Sequence, residues 1–481
     1  MRFLAGLMTV IASLLLAEPL RAENSLRVTQ GEFLAGGDAR LPAPDAPGWA
    51  AVTLGDRWKG ARAHITHGWY RFHLDLAQPP PELWALYLPR LNMNAAVYLN
   101  GHFLGDGGRF TEPLARNNYR PLYFEAPPAL WHTGRNEILL RLASYPRYGA
   151  LAPFQVGADA QLKPAYERRL LWHIHLPFGL FMLSAGISAF MAALWALRRQ
   201  DSRYLWFALS TAGLSLFTLH LFLRDIPVPA KLWWWAVYTS LDVWIVCLAL
   251  FVHRSLQIER PRLERAFFVY AAGSALINAF ISIGQQALVA QYLILCRAPI
   301  MLYLILLCAW DFQRTRRQEA LMYGLACAVI LGVGLRDIAL RASFQTTWQP
   351  GFLGWEQDMY LSHTLGPGVF IVLAGFLARR FARALNESET LNQELEQRVS
   401  QARGELQTTY EQMRILELRQ MEHDTREHIY RDLHDDVGAK LLSLIYRAPD
   451  AGSADLARSA LHDLRDTVAR PAGAPVALGA A

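Results

Sequence analysis

Seven apolar segments, each long enough to cross a bilayer, constrain this chain more than any other feature: residues 174–197, 204–223, 232–252, 266–283, 288–310, 320–340 and 359–378. A helix rises 1.5 Å per residue, so roughly 20 apolar residues cross the hydrocarbon core, and buried helices of soluble proteins rarely run so long without charge. The loops then set an orientation, because Lys and Arg near helix ends accumulate on the cytoplasmic side. Arg198, Arg199 and Arg203 follow the first segment; Arg254, Arg260, Arg262 and Arg265 the third; Arg314, Arg316 and Arg317 the fifth; Arg379, Arg380 and Arg383 the seventh. The alternate loops, around Pro227 and Pro229, Gln285 and Gln286, and residues 345–357, carry little positive charge. The pattern predicts a seven-helix transmembrane bundle (172–380) in the bacterial inner membrane, its preceding domain periplasmic and its C-terminus cytoplasmic. The net charge of +6 is accounted for by this loop asymmetry, leaving no footprint for direct nucleic-acid binding.

Ahead of the bundle, Arg2 and an apolar run over residues 3–17 read as a secretory signal peptide (1–22), ending at Ala17 or Ala22, with an uncleaved anchor as the other reading. All four cysteines, Cys247, Cys296, Cys308 and Cys327, lie in the apolar segments, so the exported domain has to rest on its own core without disulfides. Between residues 25 and 157 the pattern changes to short alternating runs, such as 69–76, 83–88, 95–99 and 137–142, broken by Gly, Pro and Asn. This spacing predicts an all-β sandwich, with Asn100-Gly101 as a tight hairpin turn.

The runs GWYRFHLDL, VYLNGHFLGDGG and GRNEILLRL, with Leu130-Trp131 between the last two, resemble the jelly-roll sugar-binding module of beta-galactosidases and beta-glucuronidases. The resemblance implies the fold, and it makes carbohydrate one candidate for an otherwise unknown periplasmic ligand. Trp69, Tyr70, Trp84 and Tyr98 are the rings that can stack on a sugar, although aromatics at alternating strand positions commonly form a core. His64 and His67 have metal-like spacing without acidic or Cys partners nearby, and read as loop histidines.

Ionisable groups inside a span are costly and usually paired. Asp242 lies near the middle of the third segment and Arg297 near the middle of the fifth, which predicts an interhelical ion pair; Arg336 and Asp337 lie nearer the outer end of the sixth. The pair either locks the bundle or takes part in signalling. Seven spans behind an exported β domain resemble the bacterial seven-transmembrane receptors with diverse intracellular signalling modules.

After Arg383 the apolar period tightens to 3.5, with Leu385, Leu395, Val399, Ala402, Leu406, Met413 and Leu416 on one seam and Ser388, Asn392 and Thr409 as its polar members. A parallel, dimeric coiled coil (384–427) is expected. The seam runs into IYRDLHDDVGAKL, residues 429–441, which resembles the phosphoacceptor box of histidine kinases of the nitrate/nitrite-sensor branch. The resemblance rests on Ile429, Arg431, Asp432, Leu433, His434, Asp435, Val437, Gly438 and Leu441; His428 and Ala439 depart from the usual Arg and Gln. It implies that His434 attacks the γ-phosphate and that Asp435 orients or deprotonates it, chemistry suited to a neutral imidazole beside a carboxylate. With the amphipathic run 454–469, a hairpin (428–470) would pair in a homodimer as a four-helix bundle carrying His434 on its outside, followed by a tail (471–481).

The fold class expected is therefore a multidomain membrane protein: jelly-roll sandwich, seven-helix bundle, coiled coil and helical hairpin. The residues after His434 are consumed by the hairpin and tail, whereas an ATP-binding domain needs a core of roughly a hundred residues. No cofactor is expected in this chain; ATP would have to act in trans or on a missing domain. Two functions stay open: a shortened sensor histidine kinase donating phosphate to a response regulator with a helix-turn-helix output domain, or a noncatalytic dimeric receptor used for phosphotransfer or docking.

Overall fold

The computed structural model describes residues 25–36, 40–43, 45–346 and 361–469; the expected signal peptide and tail, and most of the loop 345–357, lie outside them. The chain divides into two compact units, residues 1–378 and 379–481.

The first unit opens with β-strands whose alternating side chains leave one apolar face each. Strands β1 (Leu26–Val28), β12 (Phe154–Ala158), β6 (Trp84–Leu88) and β9 (Leu122–Ala126) form one sheet in that order. Strands β3 (Ala50–Thr53), β2 (Gln30–Ala35), β5 (His67–Leu76), β10 (Gly134–Ala143), β7 (Asn94–Leu99) and β8 (His102–Asp106) form the other, and β4 (Asp56–Arg57) pairs with β11 (Ala150–Leu151). Every pairing is antiparallel. The register sets Leu140 of β10 between Tyr70 of β5 and Val97 of β7, and Ile138 between Phe72 and Leu99. These side chains meet Leu86, Leu88, Phe124, Phe154 and Val156 of the four-stranded sheet in a single buried core, the arrangement of a sandwich. Asn100 and Gly101 turn β7 into β8 at φ 50° and 81°, the left-handed pair that matches strand twist. Asn100 also accepts the Glu137 N–H and donates to the Leu130 carbonyl, each at 2.8 Å, which ties the turn to β10.

From β12 the chain enters α1 (Asp159–Leu170), whose Leu162 packs on Ala85 and Tyr87 of the sandwich, and passes through a single wide turn (Leu171–His175) into α2 (Leu176–Leu197). There follow α3 (Ser202–Phe222), α4 (Ala230–Leu256), α5 (Pro261–Phe280), α6 (Ile283–Thr315), α7 (Gln318–Thr346), α8 (Ser362–Arg447) and α9 (Ala451–Ala469). Among the described residues, six helices are long and apolar enough to cross a membrane, and α5 falls short of them. The polar residues Arg262, Glu264, Arg265, Ser274 and Asn278 on its 20 residues are the reason.

Other expectations shift. The loop placed around Gln285 and Gln286 is helical, inside α6, because apolar residues continue the periodicity on both sides. One uninterrupted helix, α8, with Pro367 inside its first turns, holds the described part of the last apolar segment, the heptad repeat over 384–427 and the residues around His434. The second hairpin helix begins at Ala451 rather than 454, where Asp450 caps it by accepting the Ser453 N–H at 2.7 Å. Its less exposed face carries Ala454, Ala457, Leu461 and Leu464, so Leu456 and Ala460, expected on that face, are turned outward.

Two contacts position everything else. Helices α3 and α4 cross closely at Gly213, where a Cβ would stand 2.9 Å from the Ser240 carbonyl oxygen. Small residues allow such approach in apolar surroundings, where apolar burial alone gives little drive. The sandwich, in turn, sits on the bundle through a cluster joining Met93, Leu114 and Tyr145 to Ile226, Trp233, Trp234 and Val237.

Candidate functional site

His434 lies on α8 with an exposed side chain, and among the described residues it has no hydrogen-bond partner. Asp435, one position on and about 100° around the helix, is also exposed. The carboxylate therefore does not hold the imidazole in a single chain. Around them, Arg431 pairs with Glu427 and Lys440 with Asp436, both at 2.7 Å, one helical turn apart. Such exposed pairs contribute at most about 1 kcal/mol and leave the His434 face accessible. Val437 is half-buried and Gly438 buried, while Leu433 and Ile429 stay exposed.

Within the bundle, Arg297 of α6 donates from Nε to Asp242 Oδ1 of α4 at 2.8 Å. The carboxylate is fully buried and receives two more bonds that the sequence did not reveal: Tyr270 Oη donates to Oδ1 at 2.6 Å and Ser274 Oγ to Oδ2 at 2.7 Å. Both hydroxyls come from α5, one turn apart, so one carboxylate ties three helices. Arg336 donates to Asp337 at 2.8 Å, and Asp337 in turn accepts the Leu361 and Ser362 N–H groups at 3.2 and 2.8 Å, capping α8.

A second polar cluster, also unread in the sequence, occupies the end of the bundle remote from the sandwich. His253, fully buried at the end of α4, meets Glu264 Oε1 through Nδ1 at 3.0 Å and Tyr303 Oη through Nε2 at 2.9 Å. Arg254 grips the same carboxylate with both nitrogens, at 3.0 and 2.8 Å. An ionised Glu264 requires the proton on Nδ1, so in a neutral imidazole Nε2 accepts from Tyr303. The available signal was the pair His253-Arg254 facing an acidic residue in the first turn of the next helix.

In the sandwich the candidate rings are mostly structural. Tyr70 is buried, accepting from Trp58 Nε1 at 3.0 Å and donating to Asp56 at 2.8 Å; burial, with the Asp56 charge, raises its phenol well above the ordinary value. Trp69 is buried beside Tyr98, at 5.7 Å between rings, and Trp84 packs edge-on against Trp131 at 5.3 Å. His64 is exposed; His67 bonds Thr66 Oγ1 at 3.1 Å, and burial, then the Arg141 charge, lowers its imidazole below the usual value.

Residues 175–379 match the family model described as 7TM diverse intracellular signalling. No curated protein matches the chain. Solved structures similar to it include a putative beta-galactosidase from Bacteroides fragilis, 17% identical over 28% of this chain and 23% of that one, with a TM-score of 0.22. A beta-glucuronidase from an uncultured Clostridium species is 12% identical over 29% of each chain, and one from Faecalibacterium prausnitzii 14% identical over 29% of this chain and 32% of that one, both with a TM-score of 0.22. The chain spans about a third or less of the length of these proteins, and a likeness of this size says nothing of ligand or activity. The apolar helices and the matched region make this a multi-pass membrane protein whose helical part is that of a signalling receptor.

Proposed function

We propose that the chain is a dimeric sensor of the bacterial inner membrane that takes a signal on its periplasmic side and passes phosphate through His434 to a cytoplasmic response regulator. One observation carries the reading: the IYRDLHDDVGAKL segment lies, with His434 exposed, on the same unbroken helix as the last apolar span. Continuity along one helix is what a relay from the membrane to His434 requires. The basic ends of α2, α4, α6 and the apolar part of α8 support the orientation. Dimerisation is supported by Leu395, Val399, Leu406 and Met413, which repeat at coiled-coil spacing with half or more of their surface exposed.

In the reaction, an imidazole nitrogen of His434 attacks the γ-phosphorus of ATP held by a kinase domain. The P–N bond forms, the bond to the bridging oxygen breaks, ADP leaves, and the displaced imidazole proton passes to Asp435. Phosphate then moves to a carboxylate of the regulator. A phosphoramidate donor tests the acceptor without any ATPase domain. The full chain should acquire an acid-labile, base-stable phosphate that His434→Gln abolishes; retention of that label in the variant would assign it to another histidine and end the proposal.

A further inference from the structure

The seam between sandwich and bundle holds a cation that meets no anion among the described residues. Arg116, on the sandwich loop that follows β8, is 4% exposed. Its guanidinium lies over the Trp234 ring, with Cζ 4.4 Å from the centroid, and Nη1 donates to the His220 carbonyl at 2.9 Å. Nε and Nη2, both buried, have no partner among the described residues, and neither does the Nε1 of Trp234. Two acids on neighbouring segments are engaged elsewhere: Glu112 accepts from Tyr145 Oη at 3.2 Å and Asp225 from Arg224 Nε at 2.9 Å. The neighbours of the charge are instead the phenol rings of Tyr119, Tyr145, Tyr148 and Tyr238. A buried cation without a counter-ion is among the most unfavourable arrangements a fold can keep.

The two open nitrogens have a particular geometry. Nε–H and Nη2–H form the side edge of the guanidinium and point in parallel, the spacing that a carboxylate's two oxygens match in a bidentate pair. The aromatic surroundings suit the body of a small organic acid better than a hydrated inorganic ion. We infer that Arg116 binds the carboxylate of a small organic acid at the junction between the sandwich and the outer ends of α3 and α4. Arg116 comes from the sandwich and His220 and Trp234 from the helices, so occupancy couples the exported domain to the bundle. Binding at this place is independent of any phosphate chemistry at His434.

The experiment uses the full chain in nanodiscs of zwitterionic lipid, titrated at constant ionic strength with acetate, succinate, acetamide or inorganic phosphate. Thermal midpoint and intrinsic tryptophan fluorescence are read together. Acetate or succinate should raise the midpoint saturably and shift the fluorescence, while acetamide does neither. Arg116→Lys keeps the charge but loses the two-nitrogen edge, and should weaken carboxylate binding about tenfold or more. Carboxylate binding unchanged in that variant would overturn the assignment. So would a native chain that responds to phosphate or to added anionic lipid but not to carboxylates, or to none of them; these readings need only the native chain, should the variant fail to fold. None of these results bears on whether His434 accepts phosphate.

Discussion

At the scale of single residues, the Asp242 carboxylate is fully buried and accepts three bonds, from Arg297, Tyr270 and Ser274. Removing one partner of a buried ion pair leaves the other charge uncompensated, at a cost of about 3–5 kcal/mol. Arg297→Met and Asp242→Asn should therefore both lower the denaturation midpoint in micelles strongly. The exchange of the two residues restores the pair but sets an arginine against two hydroxyls from α5, so it should recover only part of the loss. An exchanged chain no more stable than either single variant would show that the pair contributes nothing on its own. For His434 the test is kinetic: with Asp435 acting as general base, Asp435→Asn should slow phosphorylation roughly 10²- to 10⁴-fold. The depth of Asp242 and Arg297 was readable from the ends of their apolar segments. Tyr270 and Ser274 were not, because a hydroxyl in an apolar run gives no sign of which distant carboxylate it will meet.

At the scale of elements, the α3–α4 crossing depends on the missing side chain at Gly213. A Gly213→Val substitution has no room against the α4 backbone and should separate the two helices. The expected outcome is a fall in thermal midpoint well beyond that of Gly186→Val, where a Cβ would meet nothing within 4 Å; equal effects at both positions would refute the close-approach account. Helix α8 offers a second test of the proposed function, through Ala439, which is exposed on the turn after Asp435 at the position where the resemblance implies a Gln. Alanine cannot position a water, and Lys440, bonded to Asp436 at 2.7 Å, only donates. Phosphorylated regulator should persist with the native cytoplasmic segment and lose phosphate faster with Ala439→Gln; rapid loss with Ala439 would exclude the idea. The strands were legible because period-two alternation marks residues such as Ile138, Leu140 and Leu142, whose burial follows directly.

At the scale of the whole molecule, the orientation rests on charge at the ends of the apolar helices, and reporter fusions test it. Asn117 is a poor insertion point, since it is fully buried and donates to Met93 and Gly107 at 3.1 and 3.0 Å. Gln78, in the exposed turn between β5 and β6, and Arg316, between α6 and α7, are both accessible. An export-dependent reporter should be active at Gln78 and silent at Arg316; activity at Arg316 would reverse the topology.

What the sequence by itself determined about this protein is one-dimensional: the lengths of the apolar runs, the charge at their ends, the alternation in the strands, the Asn100-Gly101 turn and the local box around His434. Each is a property of neighbouring residues, set by backbone geometry and by the cost of placing charge in hydrocarbon. The tertiary structure alone decided which distant groups meet: Tyr270 and Ser274 on Asp242, His253 with Glu264 and Tyr303, and the sandwich seated on α3 and α4. Arg116 shows the reason most clearly. In the chain it is one arginine in a polar loop, and only packing against Trp234 strips it of water and leaves two donors without an acceptor among the described residues, because desolvation depends on the whole surrounding shell and not on the residues beside it in sequence.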